Sequence, residues 1–104
     1  MVSREKVYEA LDGERAYQDS CWNSSTTSSA GVHSPNDWLI FMHTYLLDAM
    51  HFTSMVGEPA ASEYVMNNIR KIGGMCVAAM EQNGAPLRQA DSRRVTPNVP
   101  RVAD

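Results

Sequence analysis

Apolar positions recur at helical spacing in three stretches of the chain, each with its own start and stop signals. The first runs from about Arg4 to Trp22. Val7, Leu11, Gln18 and Cys21 or Trp22 lie near one face of a helix drawn over it. Ser3 is placed to cap its N-terminus, and Glu5 sits near the positive end of the helix dipole. Gly13 costs such a helix about 1 kcal/mol relative to alanine, and marks the place for a kink or break.

The second stretch has the clearest start. Ser34 is the expected N-cap, Pro35 takes the first helical position, and Asp37 can complete a capping arrangement. The helix continues through Trp38, Leu39, Phe41, Met42, Tyr45, Leu46, Ala49, Met50 and Phe52 to end near Gly57. Leu39, Ile40 and Leu47 fall outside its main apolar stripe. A helix so broadly apolar is central to a bundle or shared between subunits.

The third begins around Pro59 to Ser62 and ends at Asn83-Gly84, before Pro86. Val65, Ile69, Ile72, Cys76 and Ala79 form a heptad-like stripe. Gly73-Gly74 and Ala78-Ala79 make part of this helix very small. Paired glycines weaken a helix, and close approach of another helix is the favoured return, ahead of space for a ligand.

Asn23 to His33 is polar and rich in Ser and Thr, and reads as a mobile loop. From Leu87 onward the chain has two prolines, scattered charge and no periodicity, so residues 87–104 read as a mostly disordered tail. The expected architecture is therefore all-α, a small helical bundle over residues 1–86. Its second and third helices form a hairpin, and two hairpins would complete a four-helix core, so a homodimer or a higher even homo-oligomer is expected.

Composition narrows the function. A chain of 104 residues allows one domain, and a core of that size is modest. The net charge of -3 and pI near 5.5 argue against a binder of nucleic-acid polymers. Cys21 and Cys76 lack metal-motif spacing and read as reduced thiols. The N-terminus has no signal-peptide core and no run has the length of a membrane span, so a cytoplasmic location with no membrane partner is expected.

Candidate chemistry concentrates on the second and third helices. Asp48 and His51 can share a helix face, with His43 about 80° round the helix from His51 by the ~3.6-residue period. They read as ordinary polar positions, and no metal is assigned to them. Arg70-Lys71 is the densest cationic point within a helix, beside Asn67 and Asn68. Arginine and lysine suit phosphate, and the asparagine amides suit a base or ribose. A solvated face and a ligand contact both remain open for this cluster. Trp22, Trp38 and Tyr45 are aromatics for stacking on a base, or core residues.

Three segments resemble the phage and prophage MazG-like nucleotide pyrophosphohydrolases. Glu14 to Trp22, ERAYQDSCW, resembles their ERxRQDxKWG opening. Asp37 to Met50, DWLIFMHTYLLDAM, resembles their second helix, and Asn67 to Pro86, NNIRKIGGMCVAAMEQNGAP, their third. The resemblance implies an all-α dimer or tetramer that cleaves nucleoside triphosphates to monophosphate and pyrophosphate. Such enzymes hold Mg²⁺ with acids in an EExxE pattern on one helix and ExxD on the next. Here EExxE falls on Thr44, Tyr45 and Asp48, and ExxD on Asn68 and Lys71, so only Asp48 keeps an acid.

The expectation is thus a non-catalytic nucleotide-binding protein without a resident metal, of phage origin. It would sequester a nucleotide, such as a cyclic or ADP-ribose-like immune signal, as an anti-defence protein. Its expected ligand contacts are Arg70, Lys71, Asn67, Asn68, Tyr45, Asp48, Trp22 and Trp38. The alternatives are a pyrophosphohydrolase with a rearranged Mg²⁺ site and a helical protein–protein interaction module.

Overall fold

The computed structural model describes residues 1–22 and 31–89. Among them are three helices and no strand: α1 (Arg4–Cys21), α2 (Pro35–Val56) and α3 (Glu58–Asn83). Most of the expected loop, Asn23 to Ala30, and of the expected tail, Ala90 to Asp104, lies outside the described residues.

The helix boundaries follow from local chemistry. The Ser3 side chain accepts from the Lys6 amide to start α1. At α2 the Ser34 hydroxyl accepts from the Asp37 amide while the Asp37 carboxylate accepts from the Ser34 amide, a reciprocal capping box that satisfies two orphan donors. Gly57 alone joins α2 to α3. Its φ of 87° lies where only glycine is unstrained, and it serves as the C-cap of one helix and the N-cap of the next. Gly13 does not interrupt α1, and no atom outside its own helix lies near it.

α3 packs against both other helices, with α2 on one face and α1 on another. The α2–α3 contact holds the small core of Trp38, Met75 and Ala78, flanked by Trp22, Phe41, Met42, Tyr45 and Ala79. Burying a side chain the size of Met75 contributes roughly 2–3 kcal/mol. Trp38 is 1% exposed. It lies 5.8 Å from the Trp22 ring and edge-on to Phe41 and His33.

Gln82 organises the entry to α2. Its Oε1 accepts from the Trp38 indole and the His33 amide, both at 2.9 Å, and its Nε2 donates to the Gly31 carbonyl. Asn83 donates to the His33 carbonyl.

The α1–α3 contact is made at Gly73-Gly74. A Cβ at Gly74 would lie 2.7 Å from the Gln18 amide and 2.8 Å from Cγ of Glu14, and one at Gly73 would meet Leu11 at 2.5 Å. The paired glycines therefore serve close helix approach. The inward face of α1 keeps Leu11, Gln18 and Trp22 of the expected stripe and adds Glu14, while Val7 and Cys21 are exposed. Farther along, Arg15 joins α1 to α3 through Glu81, at 2.8 Å.

Candidate functional site

The glycine crossing seats two polar side chains of α1 inside the protein. Glu14 is 7% exposed and Gln18 3%. Gln18 donates through Nε2 to the Lys71 carbonyl at 3.1 Å and to Glu14 Oε2 at 3.4 Å. Glu14 Oε1 accepts from Arg70 Nε at 2.8 Å. Arg70 also donates through Nη1 to Asn67 Oδ1 at 2.6 Å. A buried carboxylate is strongly disfavoured without a cation and hydrogen bonds, and Arg70 and Gln18 supply both.

A second polar group joins α2 to α3. Asp48 Oδ2 accepts from the Tyr64 hydroxyl and from Asn68 Nδ2, and Asn68 also donates to the Tyr45 carbonyl at 2.9 Å. These hydrogen bonds hold the Asp48 carboxyl below its ordinary range, and the Lys71 charge adds to the effect. The same contact raises the Tyr64 phenol above its usual value, because ionising it would lose the hydrogen bond to Asp48.

Beside the first group lies a cavity of about 200 Å³ lined by Glu14, Tyr17, Gln18, Cys21, Trp22, Tyr45, Lys71 and Met75. Lys71 Nζ stands 5.6 Å from the centroid of the Tyr45 ring, a cation–π distance. Lys71 enters no salt bridge among the described residues. The Cys21 thiol beside Tyr17 raises that phenol's pKa through their hydrogen bond.

The expected ligand contacts separate into three sets. Lys71, Tyr45 and Trp22 meet at the cavity, while Asp48 and Asn68 are bonded to one another and do not line it. Arg70 and Asn67 are tied to Glu14, so Arg70 neutralises an internal carboxylate and does not stand free for phosphate. Trp38 needs correction: buried in the core, with its indole N–H bonded to Gln82, it has no ring face open for stacking. Glu14, Gln18, Tyr17 and Met75 line the cavity without having been expected as ligand contacts. The usable signal was the four-residue spacing of Glu14 and Gln18, which places both on one helix face opposite the glycines.

The Mg²⁺ cage implied by the family resemblance does not fit these residues. Asp48 is its one carboxylate, one of its oxygens already takes two protein donors, and Lys71 adds a nearby positive charge. Glu14 is held by Arg70. His43 lines a separate groove that shares no lining residue with the cavity at Lys71. Among the described residues no three His, Cys, Asp or Glu side chains come together as a metal site. None of the described helices is long and apolar enough to cross a membrane. In comparisons with known proteins, no family model, curated protein or solved structure matches the chain.

Proposed function

We propose that the protein binds a nucleotide without cleaving it, with the base in the cavity between α1 and α2 and the phosphate at its rim on Lys71. The observation that carries this reading is Lys71 itself: a cation in no salt bridge among the described residues, set against an aromatic ring, in a cavity whose wall includes Trp22, Tyr17 and Tyr45. Aromatic faces suit a base, and an ammonium suits a phosphate oxygen. A whole-ligand pocket usually has ~300–1,000 Å³. The ≈200 Å³ here suits a base alone, which leaves sugar and phosphate outside.

Cleavage would need a means of activating water and neutralising the leaving pyrophosphate. The carboxylates of this region are paired with protein donors instead: Asp48 with Tyr64 and Asn68, Glu14 with Arg70. Binding without turnover acts by sequestration, and a cyclic or ADP-ribose-like signalling nucleotide is the proposed cargo.

Incubation with a panel of mono-, di-, cyclic and ADP-ribose-type nucleotides plus Mg²⁺, followed by heat release and chromatography, tests the proposal. Recovery of one class intact and in stoichiometric amount is expected. Conversion to products, or retention of no nucleotide, would contradict it.

A further inference from the structure

We infer that the cavity selects a base bearing an exocyclic amino group, which Gln18 Oε1 and the Glu14 carboxylate receive as paired acceptors. The inference rests on the nucleotide reading and adds to it the chemical class of the base.

Gln18 carries the argument. It is 3% exposed and lines the cavity beside Glu14. Its Oε1 is buried and accepts no hydrogen bond among the described residues. A buried acceptor without a donor is costly, and folded proteins keep few of them. The amide is not free to turn in search of a donor. Its Nε2 is held by the Lys71 carbonyl at 3.1 Å and by Glu14 Oε2 at 3.4 Å. Flipping the amide would set Oε1 against those two acceptors instead. Gly74 keeps the amide in place from behind, because a Cβ there would come within 2.7 Å of both its terminal atoms.

Glu14 and Gln18 are the polar residues of the lining that are buried, and both present acceptors. Arg70 takes Glu14 Oε1, and the long contact from Gln18 leaves Oε2 with a lone pair to spare. The two residues stand one helical turn apart on α1. An exocyclic amino group has two hydrogens and can give one to each. Trp22 and Tyr45 supply the ring faces of the same cavity, so the donor that reaches the acceptors is a substituent on the edge of a flat ring. Adenine, guanine and cytosine carry such an amino group. Uracil, thymine and hypoxanthine lack one and bring a carbonyl oxygen, which would face acceptor against acceptor.

Calorimetry on the unaltered full chain tests this from the ligand side, where folding is not at risk. AMP, cyclic AMP and ADP-ribose are each titrated beside the purine analogue with hydrogen in place of the 6-amino group, and GMP beside IMP. At least one amino-bearing member should bind, and its analogue should bind at least ~10-fold more weakly, as for a lost hydrogen bond to a buried acceptor. Equal affinity within every pair that binds overturns this inference and leaves the nucleotide reading standing. Binding of none of these nucleotides overturns both. Gln18→Met, with its helical spectrum checked by circular dichroism, ties the effect to the residue. The folded variant should narrow the gap within the pair, and an undiminished gap would overturn the role given to Gln18.

Discussion

Arg70 donates through Nε to Glu14 Oε1 at 2.8 Å, joining α3 to α1 across 56 residues of chain. The pair is asymmetric: Glu14 is buried, while the Arg70 side chain is 41% exposed. Removing the cation leaves a buried carboxylate with Gln18 as its one donor among the described residues. Arg70→Ala should destabilise the protein by about 1–3 kcal/mol, below the ~3–5 kcal/mol of a fully buried broken pair because solvent reaches the arginine. Glu14→Gln in the same chain should recover part of that loss. Urea denaturation of the single and double variants measures both, and an additive result would show that the two side chains do not interact.

The neighbouring glycines should respond unequally to a methyl group. At Gly73 the obstacle is the end of the Leu11 side chain, which can rotate away, and alanine gains about 1 kcal/mol of helix propensity. At Gly74 the obstacles are the buried, hydrogen-bonded Gln18 and Glu14. Gly74→Ala should therefore cost ~1–3 kcal/mol, while Gly73→Ala should be near neutral. Midpoints of chemical denaturation separate the two, and equal effects would mean that α1 does not cross α3 at this point.

Gln82 accepts two hydrogen bonds that no other described side chain replaces, from the Trp38 indole and the His33 amide. Gln82→Ala should cost about 1–3 kcal/mol, the range for leaving a buried donor unsatisfied. Amide hydrogen exchange at His33 should accelerate together with the loss. Unchanged exchange there would separate Gln82 from the entry to α2.

The Asp48–Tyr64 contact gives a pH signature at both ends of the range. The Asp48 carboxyl titrates below its ordinary value, so its contribution to stability is present above the unfolded pKa and is lost as pH falls through the folded one. The Tyr64 phenol titrates above its ordinary value, so its contribution is present below the unfolded pKa of ~10 and is lost as pH rises through the folded one. Asp48→Asn should return the Tyr64 phenol toward its ordinary value in an ultraviolet titration. An unshifted titration curve would break the link between the two residues.

The helices themselves were legible in the sequence because their signals are local. The caps at Ser3 and Ser34, the stop at Gly57 and the end at Asn83-Gly84 act over three or four residues and need no knowledge of packing. Gly73-Gly74 was legible as a close contact, though not its partner. The candidate site was less so. Glu14 looks like a surface residue until Arg70 and the glycines, both distant in sequence, remove it from water. Arg70 and Lys71 are adjacent in the chain but point to different surroundings, one to Glu14 and the other to Tyr45. Trp38 and Trp22 carry the same aromatic signal, and only packing sends one into the core and the other to the cavity wall.

The central claim, a phosphate contact at Lys71 in an aromatic-lined cavity, is tested most directly by calorimetry. The nucleotide retained by the wild type would be titrated into Lys71→Ala, with folding checked by circular dichroism. The account predicts a loss of about 1–3 kcal/mol in binding free energy, the range for one charge-assisted contact, with the helical spectrum unchanged. Wild-type affinity in the folded variant would contradict it, because the one cation assigned to the ligand would then play no part in holding it.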